Sequence, residues 1–235
     1  EVIGLSGEVD PAAGEVDPWA HFVNAYVIDR QGNRIDRRNA EDIFTKLYDH
    51  QIPPGAADVV HYRLRLPDRS TAIEVSASLR YRKFDTTYVR AFQGDGFAGN
   101  DLPIVTLATD SIVFPVGVTE TANDPPNVPV WERWNDYGIG LLRKPDRGEL
   151  RQAEAAFRSV ALLGRAEGHL NLARVFIREG RLPEAASALN EAATLGAYPW
   201  SVAWFTALVD IQNGELDPAI DTLRALVETR FAEAR

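Results

Sequence analysis

The chain contains no cysteine in its 235 residues. Disulfide bonds, thiol catalysis, cysteine-based zinc sites and the C-x-x-C-H motif that attaches haem c covalently are therefore excluded on this chain. Methionine is also absent, even at position 1. Because translation begins with Met, we expect that a segment upstream of Glu1 has been removed or is missing.

The sequence also lacks long apolar runs and basic stripes. No apolar run reaches the length that a membrane-spanning helix requires, so no membrane span is predicted. The formal net charge is −9, of which residues 131–235 carry −2 and residues 1–130 carry −7. A chain with this acidic excess is a poor candidate for binding nucleic acid.

Motifs of catalysis are missing as well. The sequence has no G-x-S-x-G, no H-E-x-x-H and no phosphate-binding glycine loop. Its four histidines, at positions 21, 50, 61 and 169, are scattered singly, which favours structural roles. We therefore predict no catalytic residues, and whether the chain is an enzyme stays open.

A 34-residue period is the strongest positive feature of the sequence. Small or apolar residues recur at this spacing in four pairs: Ala173 and Ala207, Gly180 and Gly214, Ala185 and Ala219, Leu189 and Leu223. Such a period, with small residues where two helices touch and glycine between helices, is typical of tetratricopeptide helix-turn-helix units. Each unit buries its apolar face only against its neighbours.

A looser copy of this pattern precedes the two regular ones. Gly148, Ala153 and Phe157 lie 32 residues before Gly180, Ala185 and Leu189. Residues 131–235 are therefore predicted to form an α-helical, tetratricopeptide-like solenoid of about three units. A solenoid of this kind implies a docking surface for a partner protein.

The first half of the chain shows period-2 alternation instead. Apolar residues alternate with polar ones in 58–66 and 72–82, and 104–114 is another β-prone run. We therefore predict an α+β multidomain protein. Its antiparallel β-sandwich spans residues 1–122, a Pro-rich and Asn-rich linker spans 123–130, and the helical repeats follow.

Two acidic repeats stand near the start of the chain. Glu-Val-Asp-Pro occurs at 8–11 and again at 15–18. Carboxylates and carbonyls are the ligands that Ca²⁺ prefers, so a calcium loop is one interpretation. Turns beside the edge of a sheet are the interpretation that we favour.

Two sets of residues are candidate binding surfaces. If strands 58–66 and 72–82 paired, one face would carry His61 with Arg63, Arg65, Arg80 and Arg82. Guanidinium groups bind carboxylates and phosphates in bidentate fashion, although a solvated face balanced by Glu74 is the alternative. In the repeats, the spacing of Asn171, Arg174 and Arg178 places them on one helix face, and Trp204 of the next repeat could complete a partner-binding groove.

Several segments of the first half resemble a known family. They are residues 14–22 (GEVDPWAHF), 29–39 (DRQGNRIDRRN), 50–57 (HQIPPGAA), 60–64 (VHYRL) and 79–84 (LRYRKF). Together they resemble the haem-free β region of bacterial multihaem c-type cytochromes, some of which continue into tetratricopeptide repeats. The resemblance covers about residues 5–115 and the repeats.

The resemblance implies an exported, periplasmic or extracellular, electron-transfer protein. Since this chain has no Cys, its haem c would lie on an adjoining segment or a neighbouring haem-bearing cytochrome subunit. His21 and His50, each beside a turn, are then candidate axial ligands of such a haem. His61 and the arginines at positions 63, 65, 80 and 82 could line its propionates.

Three functions remain open on the sequence. The first is the packing and docking part of a multihaem electron-transfer cytochrome. The second is a haem-less exported tetratricopeptide scaffold for protein–protein interaction. The third is a part of a multihaem reductase.

Overall fold

The structure is a computed structural model that describes residues 1–36, 39–68, 70–117, 128–144 and 147–233. Its contacts divide the chain into two compact units. The first consists of Glu1–Gln51 and Val60–Pro125, and the second of Ile52–Val59 and Pro126–Arg235.

The described residues of the first unit form four strands and one helix. These are β1 (Ala25–Ile28), β2 (Thr45–Asp49), β3 (Ala72–Tyr81), α1 (Thr86–Gln93) and β4 (Val105–Pro115), with single 3₁₀ turns at Ala40–Asp42 and Gly94–Gly96. The strands form two separate antiparallel pairs, β1 with β2 and β3 with β4. Helix α1 begins where the Asp85 carboxylate accepts a hydrogen bond from the Tyr88 amide, 2.7 Å away.

The second unit is built from six consecutive helices. They are α2 (Val130–Arg143), α3 (Arg147–Leu162), α4 (Ala166–Glu179), α5 (Leu182–Thr194), α6 (Pro199–Asn213) and α7 (Leu216–Glu233). Each helix packs against the next, and α4 also contacts α2 and α6. The packing is that of a helical repeat.

The predicted β-sandwich is wrong. Within the described ranges the chain is mostly helical, and its strands form only two small two-stranded sheets. The apolar face of the β3–β4 ribbon is not covered by a second sheet, since Val75, Leu79 and Phe114 are 45%, 48% and 40% exposed. The alternation of apolar and polar residues does predict strand β3. It does not indicate how many strands the sheet contains or whether a second sheet packs on it.

The pairing of 58–66 with 72–82, on which the basic face depended, does not occur. β3 pairs with β4 along its whole length, from Ala72 opposite Pro115 to Tyr81 opposite Val105. Residues 60–66 are not part of any strand in the described structure. The partner of a strand is chosen over long sequence distances, which an alternating pattern does not encode.

The two acidic repeats form a short turn structure. Val9 and Val16 make an isolated antiparallel bridge. The Asp10 carboxylate accepts hydrogen bonds from the amides of Ala13 and Ala12, and these bonds lower the pKa of Asp10. Within the described residues, no group of three His, Cys, Asp or Glu side chains could hold a metal ion. The contacts of Asp10 therefore support the turn interpretation.

Two helices end at the glycines that the sequence pattern placed between helices. Gly180 after α4 and Gly214 after α6 adopt left-handed conformations, with φ of 72° and 84°. This conformation is costly for other residues and turns the chain into the next helix. Both α5 and α6 begin with a proline in their first turn, where the missing amide hydrogen is harmless.

In the core of the helical unit, small side chains allow neighbouring helices to pack closely. Ala173, Ala185 and Ala207 are fully buried, as is the large side chain of Phe157. Phe157 lies against Gly138, where a Cβ atom would come within 2.5 Å of its ring. The shared period therefore marks the positions at which neighbouring helices touch.

A segment from the first half of the chain belongs to the helical unit. Val59 packs against the core of that unit, directly over Gly140, where a Cβ would lie 2.5 Å from its methyl group. Arg143 donates a hydrogen bond of 3.0 Å to the Ala57 carbonyl. The segment Ile52–Val59 thus covers the last turns of α2.

The predictions about a membrane span and about the linker can be compared with the described residues. No helix in the part of the chain that the structure describes is long and apolar enough to cross a membrane. Most of the predicted 123–130 linker falls outside the described residues, so its role stays a prediction.

We expect Ala185→Leu to destabilise the protein by roughly 1–3 kcal/mol, because a larger side chain at a fully buried helix contact forces the helices apart. The neighbouring Ala186, which is exposed on the same helix, provides the control, and Ala186→Leu should be close to neutral. The measurement is the free energy of unfolding in urea. Equal effects of the two substitutions would contradict the assigned packing.

Candidate functional site

The candidate site lies on the three helices of the second unit that contact one another across repeats, α2, α4 and α6. Asn171 of α4 is buried and donates a 2.8 Å hydrogen bond to the Oδ1 atom of Asn135 on α2. Arg174 donates a 2.7 Å hydrogen bond to the Oδ1 atom of Asn171. Its guanidinium also lies over the ring of Phe205 on α6, 5.8 Å from the centroid.

These contacts form a polar row across three helices, which we call the Asn-Arg row: Asn135, Asn171, Arg174 and Phe205. Because a helix places residues three and four apart on one face, Asn171, Arg174 and Arg178 share one side of α4. Arg178 donates a hydrogen bond to the Leu142 carbonyl at the end of α2. A cation at that end of a helix is favoured by the helix dipole.

In the described residues, carboxylates do not balance the charge of Arg174 in the Asn-Arg row or that of the neighbouring Arg178. In the described part of the chain, neither Arg174 nor Arg178 forms an ion pair. Burial lowers the pKa of Arg174, and the neighbouring charge of Arg178 lowers it further. Both effects disfavour the charged form of the Arg174 guanidinium. An anion bound beside this guanidinium would offset that cost, because the opposite charges attract.

Other arginines of the same unit show the contrast. Arg158, Arg165 and Arg181 all pair with glutamates, and Arg181 contacts Glu154 at 2.8 Å. The hydrogen bonds from its glutamate partners raise the pKa of Arg181 above its ordinary value. Glutamates therefore neutralise these three arginines, whereas within the described residues no carboxylate pairs with the two arginines of α4.

An exposed tryptophan directly precedes Asn135 and another directly precedes Phe205 in the sequence. Trp134 on α2 is 42% exposed, and Trp204 on α6 is 45% exposed. Exposed tryptophans are enriched in the cores of protein interfaces. The sequence identified Trp204, but the ring beneath Arg174 belongs to Phe205.

The structure brings three of the four predicted partner-binding residues to one side of a helix. Two members of the row, Asn135 and Phe205, were not predicted. The signal was present, since Phe205 lies one 34-residue period after Asn171 and Asn135 lies 36 residues before it. Reading the period across polar and aromatic positions, as well as small ones, would have found both.

The arginines predicted for an anion-binding face have other partners in the first unit. Arg82 donates a 2.7 Å hydrogen bond to the Gly14 carbonyl and also contacts Thr86. Arg80 donates to the Gly7 carbonyl. Both side chains therefore hold the N-terminal segment against β3 and α1. His61, Arg63 and Arg65 lie at 60–66, a stretch without regular secondary structure.

His21 and His50, the predicted axial ligands, lie side by side. Their rings are stacked, with centroids 4.7 Å apart, and Tyr48 stacks on His50. Ligands on opposite faces of one haem point their nitrogens at the iron from two sides, which stacked rings cannot do. In this arrangement the two histidines cannot ligate the same iron.

The orientation of the His50 ring is defined by a hydrogen bond. Its Nδ1 atom lies 3.2 Å from the Phe22 carbonyl oxygen. A carbonyl only accepts, so Nδ1 carries the proton and Nε2 of the neutral ring holds a lone pair. Histidines that bind metals commonly have their other nitrogen fixed in this way.

Comparison of the chain with known protein families, with curated proteins and with solved structures finds no match. The chain is therefore assigned to no family, and the geometry of its own residues carries the functional argument.

We expect Asn171→Asp to stabilise the protein by about 1 kcal/mol, because the new carboxylate would pair with Arg174. The amide of Asn135, whose oxygen now accepts from Asn171, would turn so that its nitrogen donates to the carboxylate. Arg174 would lower the pKa of this Asp in the folded state. The gain should therefore be complete above the unfolded pKa of about 4 and should disappear as the pH falls through the folded pKa. Urea unfolding at several pH values measures the effect.

The matched control for this substitution is Asn190→Asp, at an exposed position of α5. It should leave the free energy of unfolding unchanged within about 0.5 kcal/mol, as is usual for surface changes. A loss of stability in Asn171→Asp at neutral pH would show that the site does not favour an anion.

Proposed function

We propose that the helical unit is a protein-interaction module of the tetratricopeptide-like kind, whose α2, α4 and α6 surface receives an acidic segment of a partner protein. The observation that carries the proposal is the pair Arg174 and Arg178. They lie on one side of α4 without a described carboxylate, unlike Arg158, Arg165 and Arg181 of the same unit, which pair with glutamates.

The chemistry of the Asn-Arg row supports a carboxylate as the recognised group. A guanidinium presents parallel donors that match the two oxygens of a carboxylate. Arg174 is half-buried and held by Asn171 and Phe205, so little side-chain entropy is lost when it binds a ligand.

The width of the surface supports a peptide rather than a small molecule. The row crosses three helices, and neighbouring helix axes are separated by about 8–10 Å. The exposed rings of Trp134 and Trp204 lie on the first and third of these helices. An extended acidic segment that crosses the three helices would pair with Arg174 on the central helix and meet an exposed tryptophan on each outer helix.

Fluorescence anisotropy with two labelled peptides tests the proposal. The acidic probe is an octapeptide of alternating Glu and Ala, and its neutral counterpart carries Gln in place of Glu. The acidic probe should bind and the neutral one should not, and added salt should weaken binding. Arg174→Gln should weaken it at least tenfold, because a hydrogen bond between charged groups is worth about 1.5–3 kcal/mol.

The control is Arg151→Gln, an exposed arginine of α3 away from the row, which should leave the dissociation constant unchanged. Circular dichroism spectra establish that each variant is folded. Equal binding of the acidic and neutral peptides, or equal effects of the two substitutions, would refute the proposal.

A second candidate function is the electron-transfer role that the sequence resemblance implies. The observation that favours it is the fixed ring of His50, whose Nε2 atom retains a lone pair suitable for iron. On this hypothesis the chain is the packing and docking part of an exported cytochrome. Its haem c is held by an adjoining segment or subunit, and His50 supplies an axial ligand.

Haemin, the free ferric haem, is the probe for this second candidate. If His50 is able to ligate haem iron, haemin added to the chain should give a red-shifted Soret band that His50→Ala removes. His169→Ala, in the helical unit, serves as the control and should retain the band. An identical spectrum for His50→Ala and the unaltered chain would exclude His50 as the ligand.

A further inference from the structure

Exposed apolar side chains gather where one helical pair of the second unit connects to the next. One such place consists of residues 162–164, between α3 and α4, and the other consists of residues 195–200, between α5 and α6. Their most exposed side chains are those of Leu162, at 88%, and Tyr198, at 73%. We call these two stretches the apolar tips.

Both apolar tips lie at the same end of the helical unit. The hydrogen bonds from Asn171 to Asn135 and from Arg178 to Leu142 each join residues 36 apart, so α4 runs parallel to α2. Short loops make consecutive helices antiparallel, so α6 also runs parallel to α4, with which it is in contact. The apolar tips directly precede α4 and α6 and therefore lie side by side.

The two ends of the unit differ in polarity. Neither apolar tip contains a charged residue. Arg165, which follows the first tip, pairs with Glu167 at 2.9 Å. The loops at the opposite end each carry at least one charged residue, and these include Lys144, Arg181 and Glu215. The absence of charge from the apolar tips is therefore a property of one end of the stack.

The backbone of the apolar tips is largely satisfied from within the unit. Five of its amides donate hydrogen bonds to carbonyls of the preceding helix, those of Leu163, Gly164, Leu195, Gly196 and Ala197. A backbone N–H group without a partner is costly in an apolar medium. Because these donors already have partners, the apolar tips are able to leave water at little cost.

We propose that this end of the helical unit binds the surface of a lipid bilayer. Leu162 enters the edge of the acyl chains, and Tyr198 lies at the level of the headgroups. Tyr and Trp are enriched at this level, because their rings are apolar at one side and polar at the other, and the second tip supplies both Tyr198 and Trp200. Since the apolar tips carry no charge, the binding takes neutral phospholipids.

A fluid bilayer suits the apolar tips better than a folded partner or a second copy of the chain. The tips belong to neighbouring repeats and are separated by about 8–10 Å, the usual distance between packed helix axes. A folded partner would need a surface shaped to both of them, whereas lipid chains rearrange around each tip. A few inserted side chains bind weakly, since even a single myristoyl chain gives only marginal membrane binding. The binding is therefore reversible.

Flotation of the chain with phosphatidylcholine vesicles tests the proposal. The chain should float with the vesicles, and high salt should not release it, because salt screens charges and leaves apolar contacts intact. Leu162→Glu and Tyr198→Glu should each weaken binding about tenfold or more, since each replaces an inserted apolar group by a charge that must leave water. Adding anionic lipid to the vesicles should not strengthen the binding.

Leu216→Glu is the matched control. Leu216 is 56% exposed and begins α7, at the opposite end of the unit. The substitution introduces the same charge in place of an exposed leucine, and it should leave vesicle binding unchanged. Because all three positions are exposed, each variant should keep its helical circular dichroism spectrum.

Three results would overturn the proposal. One is a chain that does not float with neutral vesicles at any lipid concentration. Another is binding that needs anionic lipid and disappears in high salt, because a basic surface would then be responsible. The third is an equal loss of binding in Leu162→Glu and Leu216→Glu, which would show that the apolar tips are not the contact.

A second copy of the chain is distinguished from a bilayer by sedimentation velocity without lipid. The unaltered chain should show no self-association that Leu162→Glu removes. A dimer that this substitution dissolves would show that the apolar tips cover one another, and it would contradict the proposal. Leu162→Glu should leave acidic-peptide binding at Arg174 unchanged, so this proposal and the proposed function fail independently.

Discussion

Close approach of helices at small side chains is the constraint on which the helical unit depends. The ring of Phe157 packs where Gly138 has no side chain, and Gly168 approaches the backbone of Ala161 in the same way. The buried alanines at 173, 185 and 207 extend this contact from one repeat to the next. Because these contacts fix the spacing of α2, α4 and α6, they also fix the distance between the groups of the Asn-Arg row.

The structure separates what a local pattern can predict from what it cannot. Most contacts of the repeated helices are with their neighbours in sequence, so the 34-residue period was enough to predict the helices, their glycine ends and the buried alanines. The β3–β4 ribbon joins residues that a helix and a turn separate. Alternation predicted that Ala72–Tyr81 is extended, but it could not predict the missing second layer.

For the candidate site, the sequence predicted the residues that share one helix but not their contacts with other helices. Helical spacing placed Asn171, Arg174 and Arg178 together because the three lie within two turns of one helix. The contacts of this group with Asn135 and Phe205 depend on how α2 and α6 pack, which spacing within α4 does not contain. For the arginines of the first half, the wrong strand pairing led to a basic face, whereas Arg80 and Arg82 bind backbone carbonyls.

The segment Ile52–Val59 has a consequence for the order in which the chain can fold during synthesis. It is made long before α2, the helix whose last turns it covers, and the rest of the first unit is made in between. Its docking on Gly140 and Arg143 must therefore wait until α2 has left the ribosome. A fragment that begins at the predicted linker would therefore lack a segment that packs on α2 and lies far upstream in the sequence.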